Sequence, residues 1–345
     1  METTTENELL NFLDENKKAV WNQVKKYLPA ESNYPYHRMI NEYPHRQGKY
    51  FRPALLMLSA RLHGGREQDA LPIAAALQIS EDWLLIHDDV EDHSLERRHR
   101  LSLNLMYGEE AAINAGDALH LIMWKMIGDI ARNHRGDTGF EIFDKFNETL
   151  MTTTEGQFME LNWIKNKIVE VSEVEYLNMV SKKTAAYTTT APTQLAAIIA
   201  GYGSISTMNK IEEWTLPFGL AFQIFDDVMN VTETSQNQGK EFAGDIWEGK
   251  RTLILGHLLR SADAKEKQTI TEIFVKNRES KTEDEIKKVL ELMHKYGSMD
   301  YAKNLARQYA KQASDLFSGY SKNLPDQSAK RLIEQAIEFV VNRQK

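Results

Sequence analysis

Cysteine is absent altogether, which excludes disulfides, thiolate metal centres and thiol nucleophiles. Proline and glycine are scarce, 8 and 18 in 345 residues, so few positions force a helix to break. No uncharged apolar run reaches the roughly 18 residues a membrane-crossing helix needs, and stable membrane insertion is not expected. Nor is positive charge in excess. A formal net charge of −8 argues against broad nucleic-acid binding. An anionic substrate stays compatible with it if basic groups or metal ions gather at one site. The opening "METTTENELLNFLDENKK" is acidic and lacks the basic-then-apolar layout of a signal peptide, so a cytoplasmic protein is expected. Length alone suggests about two domains. No proline-rich or serine-rich linker marks a cut, and the expectation is one domain over 1–345.

What is present is helical periodicity. Leu9, Leu13, Val20, Trp21, Val24 and Leu28 recur at near-helical spacing. Comparable patterns cover 51–63, 70–92, 110–132, 139–163, 173–201, 207–232, 250–261, 283–295, 299–318 and 327–342. "SEVE" at 172–175 and "TEDE" at 282–285 are capping boxes that open helices. "HGGRE" at 63–67 and "NHRGDTG" at 133–139 read as turns. Pro192 predicts a kink, or a break just before it. No run alternates β-branched residues, so the fold class is all-α. The polar stretch 232–245 is either an exposed connection or a loop that closes over a ligand.

Carboxylates are concentrated at two places. "LLIHDDVEDHSLERRHR", 84–100, holds Asp88, Asp89, Glu91 and Asp92 behind an apolar run and ahead of Arg97 and Arg98. Asp88 and Asp92 share a helix face, at the end where the helix dipole disfavours negative charge. Such a pair is either a solvated acidic helix end or a set of oxygen ligands for Mg²⁺, which shares its octahedral shell with substrate phosphates. "LAFQIFDDVMN", 220–230, repeats the design with Asp226 and Asp227, and Asn230 in place of a third carboxylate. Two such pairs closing apolar helices suggest a cage for several Mg²⁺ ions and a polyphosphate, since buried carboxylates need partners. Basic residues are spread among Lys49 and Arg52 of "GKYFRP", Arg97 and Arg98, Lys183 beside Thr184, and Lys240 and Lys250 around Asp245. Each alone reads as a surface charge; together they are what two diphosphates require.

Taken in order, "GKYFRP", "IHDDVED", "ERR", "AINAGDAL", "EGQ", "KKT", "FQIFDD" and "GKEFAGDIWEGKRT" resemble the trans-isoprenyl diphosphate synthases over nearly the whole chain. The resemblance implies a large helical bundle around a central active-site cavity, usually homodimeric. It implies a short-chain prenyltransferase that joins isopentenyl diphosphate to an allylic diphosphate with three Mg²⁺ ions. In that scheme Asp88, Asp92 and Asp226 hold the metals, with Asp89 and Asp227 beside them. Arg97, Lys183, Lys240 and Lys250 grip the allylic diphosphate. Lys49, Arg52 and Arg98 grip isopentenyl diphosphate. Thr184 and Gln223 line the space beside the developing cation.

Three positions depart from the family pattern. Glu81 stands where His or Gln usually contacts isopentenyl diphosphate, and is expected to pair with a neighbouring Arg or Lys. His99 replaces a glycine after the two arginines, and Asn230 removes a charge. Trp83, Leu84 and Ser80 lie five, four and eight residues before Asp88, where the resemblance places the floor beneath the growing chain. An aromatic five residues before the first aspartate resembles archaeal-type geranylgeranyl diphosphate synthases, with farnesyl as the alternative product. A class I terpene cyclase or a non-catalytic subunit of a heteromeric synthase are competing readings. The first has no need of "GKYFRP"; the second usually loses its aspartates.

Overall fold

A computed structural model describes residues 2–134, 136–232 and 241–342. Helices dominate: α1 Glu2–Val24, α2 Pro35–Arg46, α3 Phe51–Leu62, α4 Glu67–Glu91, α5 Leu103–Tyr107, α6 Glu109–Asn133 and α7 Thr138–Lys165. Then come α8 Glu173–Val180, a π-helical segment Ser181–Thr190, α9 Ala191–Ile199, α10 Ile205–Asn230, α11 Gly244–Glu248, α12 Leu253–Ser261 and α13 Ala264–Phe274. The last are α14 Glu283–Lys295, α15 Ser298–Tyr320 and α16 Gln327–Asn342. Among the described residues, no helix is long and apolar enough to cross a membrane.

Both capping boxes form as expected, Ser172 with Glu175 and Thr282 with Glu285. Among the described residues, two helices of more than two turns lie outside the periodic segments. The first, α2, opens on Pro35, whose fixed φ suits a first helical turn. The second, α13, is capped by Asp263, which accepts from the Lys265 and Glu266 amides at 3.0 and 2.9 Å. Pro192 sits at the start of α9, directly after the π segment. Its ring cannot donate to the preceding turn, and the widened turns before it take up the mismatch. That segment is gripped on two sides by helices that approach through glycine. A Cβ on Gly156 of α7 would lie 2.3 Å from Lys183 N, and one on Gly219 of α10 would lie 2.4 Å from Ala185 Cβ. Lys183 and Thr184 are thus held in place between two backbones.

The apolar side chains gather into two clusters. One joins α8, α10 and α12 to α16; the other joins α1 to α4, α6, α7 and α9. The carboxyl ends of α4 and α10 come from different clusters.

One short β-hairpin, Glu96–Arg97 paired with Arg100–Leu101, departs from the all-helical pattern. Its turn residues Arg98 and His99 have φ of +53° and +62°, as a two-residue type I′ turn demands. Neither is the glycine or asparagine that such a turn favours. A non-glycine residue in the left-handed region costs about 1–2 kcal/mol, part of which a glycine returns through unfolded-chain freedom. His99→Gly is therefore expected to stabilise the protein by about 0.5 kcal/mol, read as a higher urea midpoint at constant slope. A lower midpoint would mean the imidazole makes a contact worth more than the strain.

Candidate active site

The turn has a consequence for charge: it aims two adjacent arginines at different places. Arg97 reaches back to the end of α4, donating from Nε to both Asp89 oxygens at 2.9 and 3.1 Å and lying 3.4 Å from Asp88. Asp89 is fully buried, and the Tyr43 hydroxyl also donates to it. Its oxygens thus serve Arg97 and Tyr43. Arg98 instead donates to the Tyr43 carbonyl and pairs with Asp82, both at 2.8 Å, with Glu81 at 3.8 Å.

Around Asp88 and Asp92 the structure assembles cations from distant parts of the chain. Lys183 of the π segment lies 3.5 Å from Asp88 and is ion-paired with Glu160 of α7. Lys250 lies 2.8 Å from Asp92, 2.9 Å from Glu248 and 3.9 Å from Asp245. Burial works against both ammonium groups, yet the surrounding carboxylates hold their pKa values above the ordinary lysine value. Burial lifts the Asp92 carboxyl well above the usual range, and Lys250 offsets this only in part. The Lys250 ammonium is ion-paired with Asp92 Oδ2 itself, a buried oxygen that otherwise has no hydrogen bond.

At the end of α10, Asp227 is buried and pushed up to about 7 by that burial. It accepts from Tyr176 at 2.7 Å and from Gln223 Nε2 at 2.6 Å. Gln223 Oε1 accepts in turn from Thr184, at 2.8 Å. A chain of contacts therefore runs from Asp227 through Gln223 to Thr184, next to the lysine that faces Asp88. Asp226 is half-buried at the same helix end. Asn230 supplies an oxygen of another kind: its Oδ1 accepts from the Asp245 amide at 3.1 Å.

The second basic group is equally specific. Arg52 stacks over the Tyr187 ring at 4.7 Å and lies 3.2 Å from Glu81. The expected pairing of Glu81 is therefore present, with Arg52 and Arg98 both. Lys49 is exposed just before the left-handed cap residue Tyr50. Lys240 lies outside the described residues. Below Asp88, Leu84 is half-buried and Trp83 is buried against His120 of α6. Ser80 Oγ and the Tyr187 hydroxyl lie 2.8 Å apart, tying α4 to the π segment.

Several side chains here carry no sequence signal of their own. Tyr43, Glu160, Tyr176 and Glu248 each reach a site residue only through the fold. Tyr176 falls within a periodic segment but was not legible as a hydrogen-bond donor to aspartate, and Tyr43 lies in α2, outside those segments.

The oxygen donors at the two helix ends suit a hard divalent cation. Among the described residues, no three carboxylates or histidines stand close enough to hold a cation by themselves. Pairs of carboxylates that leave coordination positions to substrate phosphates match the way Mg²⁺ is usually bound, and the buried Asp92 Oδ2, which among the described residues only the Lys250 ammonium faces, fits that use.

Known proteins similar to this chain point to one family. The family model described as polyprenyl synthetase matches residues 34–293. The chain is 29% identical to the geranylgeranyl diphosphate synthase of Sulfolobus acidocaldarius, covering 97% of this chain and 98% of that protein. It is 31% identical to the enzyme of the same name from Saccharolobus solfataricus, covering 86% and 87%. It is also 31% identical to a geranylfarnesyl diphosphate synthase of Aeropyrum pernix, covering 86% and 91%. Its fold matches the crystal structure of geranylgeranyl pyrophosphate synthetase from Pyrococcus horikoshii with a TM-score of 0.84 at 28% identity, over 98% and 99% of the chains. The chain belongs to the polyprenyl synthetase family.

Proposed function

We propose that this protein, working as one domain, condenses isopentenyl diphosphate with an allylic diphosphate and stops at geranylgeranyl diphosphate. One observation carries the reading. Asp88 and Asp92 end α4 opposite Lys183 and Lys250, while a hydrogen-bonded chain leads from Thr184 to Asp227 of α10. The allylic diphosphate binds between these ends. Asp88, Asp92 and Asp226 would hold Mg²⁺ there, three ions in all, with Asp89 and Asp227 supporting. Bound Mg²⁺ neutralises the leaving diphosphate as a Lewis acid. Arg97, Lys183, Lys240 and Lys250 add positive charge around the same group. Lys49, Arg52 and Arg98 receive isopentenyl diphosphate.

In the reaction the allylic C–O bond breaks and its electron pair leaves with diphosphate. The double bond of isopentenyl diphosphate supplies the pair for the new C–C bond, and a proton is lost to the departing diphosphate. Thr184 and Gln223 present oxygen dipoles to the developing cation without attacking it. The apolar walls exclude water, which would otherwise trap the cation. Leu121 on α6 and Phe140, Met151 and Phe158 on α7 are exposed, and Phe140, Met151 and Phe158 share one stripe of their helix. This apolar face supports a homodimer, which light scattering would check. The expectation of a cytoplasmic enzyme is retained.

The test is incubation with Mg²⁺, labelled isopentenyl diphosphate and each of dimethylallyl, geranyl and farnesyl diphosphate. A discrete twenty-carbon product is expected from all three. No incorporation with any of them would overturn the reading, and a fifteen-carbon stop would correct the product alone.

A further inference from the structure

The acceptor side contains a conflict of charge. Arg52 and Arg98 face Glu81 and Asp82, so the two guanidinium charges are already matched by two carboxylates. Asp82 is buried and held tightly, 2.8 Å from Arg98. Glu81 is held loosely. Its buried Oε2 lies 3.2 Å from an Arg52 guanidinium nitrogen without a hydrogen bond, and its Oε1 lies 3.8 Å from Arg98. On the donor side Arg52 Nε, Arg98 NH2 and the Tyr50 hydroxyl are likewise buried without a hydrogen-bond partner. Three unfilled donors around one imperfectly held carboxylate describe a site built for an anion with more acceptor oxygens than Glu81 has.

Resting on the assignment of this group to isopentenyl diphosphate, we propose that Glu81 is an internal counter-anion that the acceptor diphosphate must displace. Glu81 thereby sets acceptor affinity low. A diphosphate brings more oxygens than a carboxylate and can fill the donors that Glu81 leaves open. Once displaced, however, Glu81 remains beside it as a like charge, and like charges in a partly buried site weaken binding. The fold does not depend on the contact, because Arg98 keeps Asp82 and the Tyr43 carbonyl while Arg52 keeps the Tyr187 ring.

Calorimetric titration of isopentenyl diphosphate into the protein in EDTA reads this site directly, since the aspartate ends then have no metal through which to bind a diphosphate. Glu81→Gln is expected to tighten Kd about tenfold, and to lower KM for isopentenyl diphosphate in the Mg²⁺ assay far more than KM for the allylic partner. Glu81→His provides a second neutralised side chain, should the amide variant fail to fold. Unchanged or weaker binding in a folded variant would overturn the proposal and make Glu81 a positioning residue for the two arginines. Tighter binding without turnover in either protein would uphold it while refuting the synthase reading. Normal turnover with unaltered acceptor affinity would do the reverse.

Discussion

Asp88→Ala is expected to lower kcat by about a thousandfold while the protein stays folded. The structure separates these two effects. Three described neighbours of Asp88, namely Arg97, Lys183 and Gln157, have better partners elsewhere. Arg97 lies 3.4 Å from Asp88 but bonds Asp89 at 2.9 Å. Lys183 lies 3.5 Å away and is paired with Glu160. Gln157 lies 3.4 Å away and donates to Glu91 at 2.7 Å. Removing Asp88 therefore strands neither Arg97 nor Lys183, and a part-exposed ion pair contributes about 1 kcal/mol or less. Asp89→Ala provides the contrast. It leaves the Arg97 guanidinium and the Tyr43 hydroxyl without their shared acceptor, a loss of about 3–5 kcal/mol for a broken buried pair. Thermal melts beside steady-state kinetics distinguish the two variants. Near-normal kcat in folded Asp88→Ala would remove that carboxylate from the reaction.

The features that were legible in the sequence are those fixed within a few residues. Helix periodicity, two capping boxes and the i, i+4 aspartates are local patterns, and the structure contains all of them. Features set by long-range packing were not legible. The π segment depends on Gly156 and Gly219, which let α7 and α10 close on it from opposite sides. Nothing in "SKKTAAYTTT" itself announces a wider turn. The hairpin at Glu96–Leu101 was hidden because Arg98 and His99 occupy positive-φ positions that glycine or asparagine would have advertised. The partners of the aspartates were hidden for a similar reason. Tyr43 precedes Asp89 by 46 residues and Tyr176 precedes Asp227 by 51, so only the folded chain brings them together. Glu81 was visible as a misfit and its partner predictable as basic. That both Arg52 and Arg98 are involved, and that Asp82 already occupies one of them, required the geometry.

Product length gives the second large effect. Trp83→Ala is expected to shift the main product from twenty carbons to twenty-five or more. Trp83 lies five residues before Asp88, about 7.5 Å down the helix, where the end of a growing chain would meet it. Its ring is not free to swing aside. It packs on His120 with ring centroids 4.7 Å apart and meets His87 edge-on at 5.6 Å. Trp124 donates to His120 Nε2 at 2.8 Å and packs at a tilt on Phe143 of α7 with ring centroids 5.0 Å apart. Trp83 is therefore braced by α6 and α7 in turn, and a longer tail would not push it away cheaply. Truncating a buried tryptophan costs about 3–5 kcal/mol when the cavity stays empty. On the proposed reading the vacated space is what an additional isoprene unit would occupy. Folded Trp83→Ala should accordingly melt lower than wild type without ligand and recover part of the loss with a long allylic diphosphate bound. The next barrier is the hydrogen-bonded pair of Ser80 and Tyr187, which ties α4 to the π segment. Chromatography of the dephosphorylated products reads the outcome. An unchanged twenty-carbon product from the folded variant would move the floor from Trp83 to that pair.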